Sequence, residues 1–111
     1  DYSGIVIRGP LAGKAVFGLS TGCLASHALV SSETVAVLPE TVRFEDGAAC
    51  PTIFLTVEAA LGHAAGVQRG ESVLVHAAAG GVGLAALQAA KARGASVVAT
   101  AGSPSKRGLL R

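Results

Sequence analysis

"VLVHAAAGGVGLAALQAAKARGASVVATAGSPSKR", residues 73–107, decides how the rest of the chain is read. Alanine, glycine and valine fill it, no Asp or Glu interrupts it, and its lysines and arginines all lie in the second half. A stretch this poor in side-chain chemistry is either packing alone or a place where the backbone makes the contacts. "SVLVHA" (72–77) reads as a buried strand, and Gly80 to Gly83 as a tight turn. "LAALQAAKARG" (84–94) has helical spacing and stops at Gly94, and "ASVVATA" (95–101) reads as a second buried strand. Strand, helix and strand in that order make a β-α-β unit, whose right-handed crossover sets the two strands parallel. "SPSKRGLLR" (103–111) opens a further helix, with Ser103 as its cap and Pro104 at the first helical position. The expected fold class is therefore α/β, with a parallel sheet in this half.

The glycine turn lies between a strand and a helix. There the missing side chains let backbone N–H groups and the helix N-terminus approach a pyrophosphate. The frame is Ala78-x-Gly80-x-x-Gly83, with Ala where the first Gly of such dinucleotide-binding turns often stands. Ala79, Gly81 and Val82 complete the backbone offered to the ligand. A turn that merely holds helix against strand is the alternative, and the strand–turn–helix context favours binding. The second strand then selects the cofactor. An NAD-binding unit places Asp or Glu near this strand end, on the ribose 2′-hydroxyl. Here the strand runs out into "TAGSPSKR". A 2′-phosphate repels a carboxylate and pairs with Lys or Arg. Gly102 and Ser103 offer close backbone and hydroxyl contacts, and Lys106 and Arg107 offer charge. These residues favour NADPH over NADH. Ordinary helix-surface charge is the alternative for the two cations.

Composition fits this picture. The chain has 111 residues, one domain by length or pieces of two. Half of them are hydrophobic and 14% charged, so a buried core is expected and disorder is not. Aromatics make up 4%, with no Trp, as in a sheet buried on both faces under Ala-rich helices. A net charge of +2 is too modest to point to nucleic acid. Beyond Glu71 there is no carboxylate side chain, yet Lys91, Arg93, Lys106, Arg107 and Arg111 lie there. Solvated helix faces and a local field for an anionic ligand both account for that run. Residues 72–90 carry no formal charge, but three glycines sit in their middle, so no membrane-spanning helix is expected. No leader segment is visible, and the expected location is cytoplasmic. Cys23 and Cys50 form no CxxC, and no His/Cys spacing suggests zinc. No metal site is expected, and both cysteines read as reduced core thiols.

Before Pro51 the pattern differs. "GIVI" (4–7), "AVFGL" (15–19), "ASHALV" (25–30) and "VAVLP" (35–39) are short β-like runs separated by turn residues, as in part of a barrel or sandwich. Residues 44–50 suggest one or two helical turns ended by Pro51. "TIFLTVEAALGHAAG" (52–66) is apolar at helical spacing and closes on Gly66.

The run "RGESVLVHAAAGGVG", with "LGHAAGVQ" ahead of it and "ATAGSPSKR" behind, resembles the medium-chain dehydrogenase/reductase superfamily. It is most similar to the zinc-free, quinone-reductase-like branch, and within that to the enoyl reductase domains of polyketide and fatty acid synthases. "DYSG", "GKAVFGL", "GCLASHALV" and "LPETVRFEDGAACPTIFLT" resemble the same reductases, so the likeness runs through the whole chain in order. "HAAAGGVG" is shared with plain quinone reductases, whereas "GSPSKR" and the compact N-terminal link lean towards the synthase domains. The resemblance implies the start of a Rossmann-type doubly wound parallel sheet preceded by part of a GroES-like β-rich substrate domain. Residues 1–51 would belong to the GroES-like part and 52–111 to the N-terminal part of the NADPH-binding domain, in a fragment cut at both ends. A family substrate-pocket segment would precede Asp1, and an aspartate proposed as proton donor would follow Arg111.

By the same resemblance, the reaction is NADPH-dependent reduction of a 2-enoyl thioester on an acyl carrier protein, beside neighbouring synthase domains. Hydride adds to the β-carbon, and the enolate takes a proton at the α-carbon. A homodimer through the Rossmann sheet of the intact parent is a further implication. Thr56 would be a nicotinamide-side contact. Lys106 matches a lysine proposed in the family as proton donor and also lies where 2′-phosphate contacts occur; both roles stay open. Tyr2 falls in an "EFSG"-like position and is not the catalytic tyrosine. Where the family commonly has two aromatics after the Thr of "LT", Glu58 and Ala59 follow Val57. His76 reads as a packed, hydrogen-bonded residue rather than a base, and His27 and His63 show no partner. Two alternatives accompany the enoyl reductase reading: a free-standing quinone or enone oxidoreductase, and a non-catalytic nucleotide-binding remnant.

Overall fold

Residues 1–110 are described by a computed structural model; Arg111, the last cation of the basic run, lies outside the described residues. The chain divides into two units, Asp1–Thr52 and a second from Ile53 on. In the first, β1 (Tyr2–Ile5), β2 (Ala15–Gly18) and β3 (Val35–Val37) form an antiparallel sheet in that order. The register pairs Gly4 with Val16, and Val16 with Val37. Val16 and Leu38 are buried there.

Gly18 closes this sheet. A Cβ at Gly18 would stand 2.2 Å from the Thr34 carbonyl oxygen and 2.8 Å from the Tyr2 hydroxyl. The Tyr2 hydroxyl is buried there without a hydrogen-bond partner. Burial, with Cys23 nearby, raises the Tyr2 pKa.

Residues 25–30, expected as a strand, are not one: the segment is largely exposed, and Leu24 and Leu29 are fully so. Val30 is its one β-branched residue, so little favours extended pairing. Neither cysteine is a core residue. Both thiols are free and half-buried, Cys23 donating to the Ser20 carbonyl and Cys50 to that of Asp46.

Helix α1 (Phe44–Ala49) ends at Cys50, and α2 (Pro51–Val57) begins at once. Pro51 thus opens a helix as well as ending one, because its missing N–H and fixed φ suit a first turn. The Thr52 N–H that follows donates to the Asp1 carboxylate, at 3.0 and 3.2 Å from its two oxygens.

In the second unit α2 runs into a π-helical stretch, Glu58–Ala64, and the chain leaves it through Gly66 at φ +60°. Then come β4 (Ser72–Val75), α3 (Gly81–Ala92), β5 (Ser96–Ala99) and α4 (Pro104–Leu109). β4 and β5 pair in parallel, Leu74 beside Val98, as the β-α-β reading requires. The α3 helix ends in a left-handed turn at Gly94, φ +74°. The Ala95 N–H reaches back to the Ala90 carbonyl, and that of Gly94 to the Lys91 carbonyl.

Val57, Val75, Ala78, Ala85 and Ala86 form the core, with Val73 and Val97 packed against it. Leu74 and Val98, pointing the other way, remain 56% and 59% exposed. Among the described residues no helix is long and apolar enough to cross a membrane.

Replacing Gly18 by Ala should destabilise the first sheet by about 1–3 kcal/mol, because the new methyl meets backbone rather than a movable side-chain end. Gly4→Ala, with nothing within 4 Å of the new methyl, is the control. Urea unfolding midpoints of the two variants measure the contrast.

Candidate functional site

The turn between β4 and α3 falls earlier than the glycines suggest. Ala77 takes the left-handed conformation at φ +51°, and its carbonyl accepts the Gly80 N–H at 3.0 Å. Gly80 is the extended N-cap, so Gly81 and Gly83 already belong to the helix. The three glycines therefore do different work. A Cβ on Gly80 would approach nothing closer than the Ala77 carbonyl at 3.4 Å, and one on Gly81 nothing closer than Ile53 at 3.8 Å. A Cβ on Gly83 would lie 2.6 Å from the Ala78 Cα and 2.7 Å from the Ala77 oxygen. Gly83 lets α3 rest on the turn, because a side chain there would strike turn backbone.

At the entrance to α3, the N–H groups of Gly81, Val82 and Gly83 have no carbonyl of the preceding helical turn to bond. Val82 is exposed there. The Ala78 N–H, by contrast, is committed: Ala78 is fully buried and donates to the Thr100 carbonyl at 2.9 Å.

A pocket of about 110 Å³ opens beside this turn, lined by Ala77, Ala79, Gly80, Ala101, Gly102 and Lys106. Two segments far apart in sequence meet in it, the exit of β4 and the exit of β5. A Cβ on Gly102 would meet nothing within 4 Å. Ser103 accepts the Lys106 N–H as the cap of α4, at 3.3 Å, and lies 3.1 Å from the Ser105 hydroxyl.

The cations separate by place. Lys106 lines the pocket. Arg107 stands on α4 and Thr56 on α2, and neither lines it. Lys91 is exposed in the last turn of α3, and Arg93 pairs with Glu58. His76 and His27 also acquire partners. The His76 Nδ1 is 3.1 Å from the Thr100 hydroxyl, and that of His27 is 3.2 Å from the Ser26 hydroxyl. Ala77 and Ala101, which line the pocket, and the His76–Thr100 contact were not legible in the sequence. Finding Thr100 needed the strand register, which composition does not carry.

A parallel β-α-β unit with an open backbone turn at the strand ends is the geometry of a Rossmann-type nucleotide-binding unit. No family model matches the chain. Individual proteins do. The spectinabilin polyketide synthase system protein NorB of Streptomyces orinoci is 46% identical over 105 residues, covering 95% of this chain and 5% of NorB. The crystal structure of CurK enoyl reductase matches with a TM-score of 0.83 and 46% identity, over 89% of this chain and 30% of that one. The quinone oxidoreductase from Thermus thermophilus, solved also in complex with NADPH, matches with a TM-score of 0.79 and 41% identity, over 88% of this chain and 33% of that one. The chain belongs to the medium-chain dehydrogenase/reductase superfamily, as its similarity to quinone oxidoreductases and to polyketide synthase enoyl reductases shows. It spans about a third of the solved chains and a small part of the synthase.

Gly83→Ala should cost about 1–3 kcal/mol, since the methyl strikes turn backbone that cannot move alone. Gly81→Ala should be neutral or stabilise by up to about 1 kcal/mol, Ala being the better helix former. Thermal unfolding of both variants checks the pair; equal losses would contradict the division of labour among the glycines.

Proposed function

We propose that the chain forms the cofactor-binding start of an NADPH-dependent reductase acting on a 2-enoyl thioester carried by an acyl carrier protein. One observation carries the cofactor: a single pocket unites the turn after β4 with the exit of β5, and its one ionisable lining residue is Lys106. The open space at Gly102, and the absence of any side chain at Gly80 and Gly81, fit the close approach of phosphate and ribose. NADPH, when bound, supplies the hydride.

The chain's own residues bind and orient. The unpaired N–H groups of Gly81, Val82 and Gly83, with the α3 N-terminus, hold the pyrophosphate. Ala78 acts through the fold, since its N–H is spent on Thr100, while Ala79 and Gly80 offer the wall along which the ligand lies. Lys106 pairs with the 2′-phosphate, and Ser103 fixes the turn that aims it. Arg107 adds positive potential from outside the pocket. Thr56 contacts the nicotinamide side. A proton-donor role for Lys106 is the weaker alternative, because a donor has to be reprotonated and no carboxylate lines this pocket.

In this reading the unit from Ile53 on is the N-terminal part of the Rossmann domain, and Asp1–Thr52 is part of the GroES-like substrate domain. The enoyl thioester is supported by the match to NorB over 95% of the chain and by the likeness to CurK enoyl reductase. Neighbouring synthase domains then present the substrate, and pairing of the Rossmann sheets gives a homodimer. A quinone or enone substrate is the second reading, supported by the Thermus thermophilus relative.

Two measurements on the whole protein test this. With NADPH present, a 2-enoyl thioester should be consumed faster than a quinone at equal concentration; the reverse order selects the second reading. Lys106→Ala should weaken NADPH on the order of 1.5–3 kcal/mol, the value of one charge-assisted contact, and leave NADH nearly unchanged. A fall in kcat with both cofactors at unchanged Kd would instead assign Lys106 to proton transfer.

A further inference from the structure

We infer that His76 and Thr100 are positioning residues that hold the two walls of the cofactor pocket at a fixed spacing. The inference rests on the NADPH reading of that pocket and asks how its halves are kept together.

Thr100 ties β5 to the β4 side in three ways. Its N–H donates to the Val75 carbonyl at 3.0 Å, and its carbonyl accepts the Ala78 N–H at 2.9 Å. Its hydroxyl lies 3.1 Å from the His76 Nδ1. Beyond Thr100 the two segments diverge: Ala101 and Gly102 enter one wall, while Ala77, Ala79 and Gly80 form the other. His76 immediately precedes Ala77, the residue bent into the left-handed conformation. The side-chain bond thus sits at the fork itself, one residue before each wall begins.

Its chemistry suits a clamp. A threonine hydroxyl both donates and accepts, so the bond survives either imidazole tautomer. The bond lies on the sheet face away from α3, where Leu74 and Val98 are exposed, so the packing of α3 does not duplicate it. A dinucleotide has to touch both walls at once, with pyrophosphate at one and the 2′-phosphate at the other. A fixed spacing removes the cost of setting that distance on binding. A ligand that touches one wall gains nothing from it.

That asymmetry gives the test, made on the whole protein with NADPH, 2′,5′-ADP and 2′-AMP. Thr100→Val and His76→Ala should each raise Kd for NADPH and 2′,5′-ADP by roughly three- to tenfold, the range of one modest hydrogen bond. The double variant should be no worse than either single one. Binding of 2′-AMP, which reaches only the Lys106 wall, should stay within about twofold, and Thr100→Ser should restore wild-type affinity. Amide exchange at Ala78 in the ligand-free protein should quicken in Thr100→Val and not in Thr100→Ser. Equal weakening of all three ligands, or unchanged exchange and unchanged NADPH binding, overturns the clamp. A wild-type protein that binds no NADPH while exchange at Ala78 still responds to the hydroxyl would keep the clamp and remove the cofactor reading.

Discussion

The arrangement of the second unit depends on a contact with no room in it. At Gly83 the first turn of α3 lies so close to the backbone of Ala77 and Ala78 that a methyl group would overlap it. That approach fixes where the helix starts relative to the ends of the strands. It leaves the first N–H groups of α3 just past the turn that follows β4. It also accounts for the residue types along α3: Ala85, Ala86 and Ala90 are buried on the side that faces the sheet. Helices brought this near a sheet carry small side chains toward it, because dense packing leaves no space for larger ones.

A second contact gives Glu58 a partner. Glu58 pairs with Arg93 from the end of α3, whose guanidinium also donates to the Ala89 carbonyl at 3.1 Å. Gly62 leaves the space in which the pair lies, since a Cβ there would overlap the Glu58 carboxylate. The Arg93 side chain is mostly buried and that of Glu58 largely exposed, so the pair contributes modestly. Its role is to tie the π-helical stretch to the far end of α3.

The β-α-β unit was legible because its signals agree. Apolar runs, glycine punctuation and an Ala-rich periodic stretch all point to one order of elements. The position of the turn was not legible. Glycines normally mark left-handed backbone, but here Ala77 carries it, and Gly81 and Gly83 serve contact and exposure inside the helix. The basic run likewise held four described cations of similar standing, and only tertiary placement put Lys106 in the pocket and Arg93 in an ion pair. Residues 25–30 failed as a strand because apolar residues in a short run do not create a partner edge. The partners of His76 and His27 were hidden for different reasons, one lying across a strand pair and the other next door in sequence.

The alanine-built core also limits how such a unit can vary. A core of valines and leucines can trade volume between neighbours, one residue shrinking as another grows. Ala78, Ala85, Ala86 and Ala90 themselves have almost nothing to shrink, and Gly83 has no side chain to give up. Compensated exchange is closed off there, so viable change is pushed outward to the loops beyond the strand ends. The segment beyond β5 carries Gly102 and Ser103, and α4, which follows, carries Lys106. The interior acts as a rigid frame, and adaptation to a new ligand has to proceed at the rim.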